Sequence, residues 1–135
     1  MASTSVTGGD GYAVGSIDGI GDGPGFRKIR RALGVEHFGV NAIILPHGAE
    51  TGFHFHDEQQ ELYVVLSGTL EIRFGDGSSH RLEPGGLARV DAATHRQFHN
   101  PGDVDAVYVI VGAKDGYVGR DAHVPEGDER VRSGL

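Results

Sequence analysis

Short apolar runs, each broken off by glycine, constrain this chain more than any other feature. Gly39–Leu45, Leu62–Leu66, Leu70–Phe74, Leu87–Val90 and Val104–Val111 are the runs, and 23 glycines are spread along the 135 residues between and around them. Glycine supplies the positive-φ positions that tight turns need. Runs this short, with turn signals between them, predict an all-β sandwich or barrel and not alternating strand–helix units. Leu70, Ile72 and Phe74 alternate with Glu71 and Arg73, the period-two pattern of a half-buried strand. Gly75-Asp76-Gly77 follows as a hairpin turn, after which His80–Leu82 returns.

One stretch has helical spacing: Phe26, Ile29 and Leu33, with Gly34 placed to end it. Residues 1–25 form a polar leader rich in Gly, Ser, Thr and Asp, and 120–135 form a charged tail. Both have too few apolar residues to bury a core, so they are expected to act as arms around a barrel at 26–119. A chain of this length fits one domain.

The absence of cysteine excludes disulfides, zinc–thiolate sites and cysteine nucleophiles. The first ten residues lack the basic and apolar regions of a signal peptide. The apolar run Ala106–Ala113 is far too short to span a bilayer. A cytoplasmic protein without membrane partner is therefore expected. The net charge of −7 argues against a nucleic-acid partner, which needs a basic face. Arg27, Lys28, Arg30 and Arg31 are the local exception; a solvated charged edge, a dimer contact and an anion contact all fit them.

The segment from Gly48 to Gly68 carries the chemistry. On a strand, residues two apart share a face, so His54 and His56 point one way while Phe53 and Phe55 point the other. Glu61 follows a short polar turn and opens the next strand. Two neighbouring strands thus bring two imidazoles and a carboxylate to one point, a donor set suited to divalent transition metals. Asp57 and Gln60 are candidates to orient the histidines. Tyr63 and Val65 share the face of Glu61.

Written as G-x5-H-x-H-x4-E-x6-G, with Gly48, His54, His56, Glu61 and Gly68, this segment resembles the first motif of the cupin superfamily at every position. A second stretch, from Gly85 to Asn100, resembles the second cupin motif, G-x5-P-x-G-x2-H-x3-N, at its two ends. The resemblance implies a double-stranded β-helix, a jelly-roll barrel with a metal inside, and frequent homodimerisation.

The second motif departs from the pattern. Asp91 stands for its proline, Ala93 for its inner glycine and Arg96 for its metal-binding histidine. In the ungapped register Thr94, Arg96 and Phe98 share one face, while His95, Gln97 and His99 share the other. Two readings stay open. A bulge near 91–94 turns His95 inward as a fourth ligand; otherwise Arg96 faces inward and either grips a substrate anion or pairs with Glu61.

The candidate metal ligands are accordingly His54, His56, Glu61 and His95, and the candidate substrate contacts are Arg96, Tyr63 and Phe98. One divalent transition metal per chain is expected, drawn from Fe, Mn, Ni, Zn and Cu. The function implied is metal-assisted chemistry, dioxygenase-like or isomerase-like, on a small anionic or oxygen-rich molecule. The alternative is a non-catalytic barrel that binds or senses a small ligand, with or without metal. Whether the chain is an enzyme is left open by the sequence.

Overall fold

A computed structural model describes residues 5–124; the outer parts of the expected leader and tail, 1–4 and 125–135, lie outside the described residues. In chain order the described elements are β1 (Thr7–Gly9), β2 (Tyr12–Val14), β3 (Gly25–Arg27), α1 (Ile29–Leu33), β4 (Gly39–Leu45), β5 (Phe55–His56) and β6 (Gln60–Ser67). β7 (Leu70–Phe74), β8 (Ser79–Leu82), β9 (Leu87–Val90), β10 (Arg96–His99), β11 (Ala106–Ala113) and β12 (Ala122–His123) follow. A 3-10 turn at Asp18–Ile20 lies between β2 and β3.

The larger sheet has the order β3-β4-β11-β6-β9, and the smaller β10-β7-β8, every neighbouring pair antiparallel. β12 pairs with β5, and β1 with β2. Alternation decides what each strand buries. Along β6, Glu61, Tyr63 and Val65 are buried while Leu62 and Leu66 stand exposed. Along β7, Leu70 and Ile72 face in. These side chains meet Ile43, Leu45, Phe98 and Tyr108 in one apolar core. Tyr63, Phe98 and Tyr108 form a tilted aromatic cluster in it, with centroids 4.9 Å apart for Tyr63–Phe98 and 5.5 Å for Phe98–Tyr108. This is the double-stranded β-helix expected of the sequence.

Turn chemistry fixes the corners. Gly68 has φ 73°, and a Cβ there would collide with the backbone of Asp105 and Ala106, so only glycine fits both the conformation and the space. The expected helix is real but shorter: α1 starts at Ile29, and Phe26 belongs to β3. Gly34 ends α1 in the left-handed conformation, its N–H donating to the Arg30 carbonyl. Ile29 and Leu33 pack toward Gly15, Ile17 and Ile20, which leaves the basic residues of this segment on another side.

Candidate metal centre and ligand cavity

His54, His56 and Glu61 are buried together, and one donor atom from each lies within 4.8 Å of the others. The strands explain why. His56 lies in β5, His54 just before it, and Glu61 on the inward face of β6. His54 and Arg96 form a β-bridge with reciprocal backbone hydrogen bonds of 2.9 and 3.0 Å. Cross-strand partners share a face. Arg96 therefore follows His54 inward, and His95 is turned outward.

This corrects the expectation that His95 could be a fourth ligand. Its ring stacks on Phe55, centroids 4.7 Å apart, on the side away from the histidine pair. No bulge rotates it in. Arg96 instead lies fully buried. Its Nη2 donates to Glu61 Oε1 at 2.7 Å and its Nε to the Tyr63 hydroxyl at 3.3 Å. Its Nη1 donates to the carbonyls of Thr94 (2.6 Å), Ala92 (3.2 Å) and Asp91 (3.4 Å). Tyr63 in turn donates to Glu61 Oε1. Of the three expected substrate contacts, only Phe98 lines the cavity; Arg96 and Tyr63 lie behind Glu61.

Charge is distributed unevenly over the cluster. Burial, then the Arg96 charge, lowers the His54 pKa to about 4 against the opposing pull of Glu61. His54 is thus a neutral imidazole at neutral pH. Burial also works against a charged His56 and is the largest single influence there. Glu61 and Asp121 outweigh it, and the pKa is raised. Burial opposes ionisation of Glu61 too, yet the neighbouring His56, the Tyr63 hydroxyl and the Arg96 charge bring its pKa to about 2.

Asp121 was not legible in the sequence. Its Oδ1 is 2.8 Å from His56 Nδ1, and its Oδ2 accepts the backbone N–H groups of Glu58 (2.9 Å) and Gln59 (3.0 Å). Gln59 Nε2 donates to the same Oδ1 at 2.7 Å. His56 Nδ1 also lies 2.9 Å from Gln59 Nε2, and His56 Nε2 on the opposite side of the ring lies 3.3 Å from Glu61 Oε1, so Asp121 sets the direction in which that nitrogen points. Burial resists the Asp121 charge, but the Gln59 and Glu58 amides and His56 prevail, holding this carboxyl well below the usual range. The orienting role expected of Asp57 and Gln60 falls elsewhere: Asp57 pairs with His123, and Gln60 donates to Asp91. Gly112, opposite Glu61 on β11, leaves the space into which Gln59 reaches.

The donor set fits a divalent transition metal. His54 Nδ1 and His56 Nε2 are buried without a hydrogen-bond partner, an arrangement that costs free energy unless something accepts from or binds them. Two imidazoles and a carboxylate are the ligand types of zinc, iron and manganese sites. Arg96 stands where a fourth ligand is expected and already holds one oxygen of Glu61.

Above the cluster opens a cavity of about 860 Å³. Phe98 and Ile43 line it from the core, and Ala122, His123 and Val124 from the C-terminal segment. Lys28, Arg30, Arg31 and Arg120 stand at its rim.

The family model described as "Cupin domain" matches residues 41–112, and the chain belongs to this family. A comparison with curated proteins finds no match. Among solved structures, the chain is similar to a sugar phosphate isomerase of the cupin superfamily from Silicibacter pomeroyi (TM-score 0.63, 27% identity). That match covers 87% of this chain and 67% of the isomerase, so the chain spans about two thirds of its neighbour's length. A cupin protein from Bacteroides fragilis matches with TM-score 0.66 and 24% identity over 82% of this chain and 90% of that one. A protein with a double-stranded β-helix domain from Klebsiella pneumoniae matches with TM-score 0.60 and 23% identity over 67% and 76%. The last two speak to the fold alone.

Proposed function

We infer that this cupin holds one divalent transition metal on His54, His56 and Glu61 and acts as an isomerase-like enzyme on a small oxygen-rich anion. The observation that carries the reading is the pair of buried imidazole nitrogens, one on each histidine, left without a hydrogen-bond partner beside a carboxylate. A bound metal would supply Lewis-acid polarisation of a substrate oxygen. The protein's own part is to keep His54 neutral, to aim His56 through Asp121, and to hold Glu61 ionised. The likeness to a sugar phosphate isomerase at 27% identity favours isomerisation over dioxygen chemistry. The same reading carries a homodimer, for which Leu62, Leu66 and Leu87, exposed on the outer face of β6 and β9, offer apolar area.

Elemental analysis of the purified protein beside Glu61→Ala tests the metal. Stoichiometric metal in the wild type and its loss in the variant is the expected result. Neither protein retaining metal, even after anaerobic reconstitution with Fe(II), Mn(II) and Zn(II), overturns the reading. Oxygen uptake coupled to substrate loss would move the assignment from isomerase to dioxygenase.

One observation favours a second reading, a metal-free binding barrel. Arg96 already neutralises Glu61 at 2.7 Å, and a fixed cation so close repels another. Saturable ligand binding without turnover, in protein that holds no metal, would establish it.

A further inference from the structure

The cavity is cationic although the chain is acidic. Its rim holds Lys28, Arg30, Arg31 and Arg120, and among the described residues the one carboxylate lining it, Glu61, is already matched by Arg96. None of the four rim cations has a carboxylate partner among the described residues. In a chain of net charge −7, acidic side chains are plentiful, yet none of the described ones pairs with this rim. The fold concentrates the charge. β3 and α1 carry Lys28, Arg30 and Arg31 to one side of the opening, and the segment before β12 brings Arg120. Arg27, next in sequence, is excluded by alternation: Phe26 enters the cavity while Arg27 is buried and donates to the Asp22 carbonyl.

Arg30 is held in place before any ligand arrives. Its guanidinium carbon sits 3.9 Å above the Tyr117 ring centroid, so the flat face is occupied and the N–H edges are free to donate. Arg96, the residue the sequence offers as anion receptor, cannot serve. It is fully buried, and each of its guanidinium nitrogens already donates to the protein.

We propose that the cavity mouth is a recognition site for the phosphate group of a small phosphate monoester, seated among Lys28, Arg30, Arg31 and Arg120. The proposal rests on reading the cavity as the ligand site and assigns the end of the ligand remote from His54, His56 and Glu61. A monoester carries close to two negative charges at neutral pH and three strong acceptor oxygens, roughly −1.5 to −2 in all. Three guanidinium forks and an ammonium suit that dianion better than a single carboxylate, which would leave most of the rim uncompensated. The volume sets the size: about 860 Å³ falls in the range of roughly 300–1,000 Å³ typical of small-molecule pockets. A cavity of that volume has room for the alcohol part of such an ester as well as its phosphate.

Calorimetric titration of the full chain with ribose 5-phosphate, inorganic phosphate, ribose and acetate tests this, with and without added Mn(II). Ribose 5-phosphate and phosphate are expected to bind saturably and more weakly as salt rises, ribose and acetate much less. The double variant Lys28→Gln/Arg31→Gln should weaken phosphate binding roughly ten-fold or more while keeping wild-type Mn(II) affinity. Arg89→Gln, an exposed arginine away from the cavity, should change neither. Absence of saturable phosphate binding in the wild type, wild-type affinity in the double variant, or equal affinity for acetate overturns the proposal. Phosphate binding to protein that takes up no metal would leave it standing and remove the metalloenzyme reading instead.

Discussion

At Arg96 every nitrogen of the guanidinium meets an oxygen of the protein, and one of those oxygens belongs to a candidate metal ligand. A buried charge pair of this kind is weak evidence for net stability, but removing one partner leaves the other uncompensated. Arg96→Met should therefore destabilise the metal-free protein by about 3–5 kcal/mol, measured by urea unfolding. Added Zn(II) should recover more stability in that variant than in the wild type, since Glu61 then has no other cation to serve. Equal recovery in both proteins would show that Arg96 and a metal do not compete. His54, His56 and Glu61 were legible because their pattern is local: eight residues hold all three, and strand alternation turns them to one face. The choice between Arg96 and His95 was not. It depends on the bridge between His54 and Arg96, a pairing of segments that are far apart in sequence.

Among the elements, β7 and β10 are joined by charge as well as by their ladder. Glu71 stands opposite His99, which lies 3.0 Å from it, and Arg73 bonds both Glu71 and Glu50. Slight burial opposes the Glu71 charge, but His99 and Arg73 prevail and its pKa is lowered from 4.5. A carboxylate depressed in the folded state contributes its stability fully above the unfolded pKa and loses it as pH falls. Glu71→Gln should thus cost stability at pH 7 and little at pH 3, by urea unfolding at both; an unchanged difference would detach Glu71 from acid unfolding. β12 gives a second test. Asp121→Asn should lower metal affinity about 10- to 100-fold, read by competition against a chelator, with Asp121→Glu recovering part of it. Wild-type affinity in the Asn variant would mean that His56 needs no carboxylate to aim it. The sequence hid this residue because Asp121 lies 65 positions after His56 in a charged stretch with no motif.

The whole barrel was more readable than its site. The apolar runs coincide with β4, β6, β7, β9 and β11, since a strand with one face in the core must alternate or run apolar. β5, β10 and β12 were harder. They are short, rich in polar residues, and defined by what they pair with. Those same strands carry or adjoin His54, His56, Arg96 and Asp121, so the parts least visible to pattern are the ones that make the site. β12 adds a consequence in time. It is held to β5 by a ladder of two residue pairs, against seven between β11 and β4. A ladder so short opens at far lower free energy than the central sheet. When it opens, the cavity loses the wall formed by Ala122 and His123, and His56 loses the carboxylate that aims it. The residence time of anything bound there is then tied to how often that short ladder and the Asp121 and His123 contacts beside it let go together, and the rest of the barrel can stay shut.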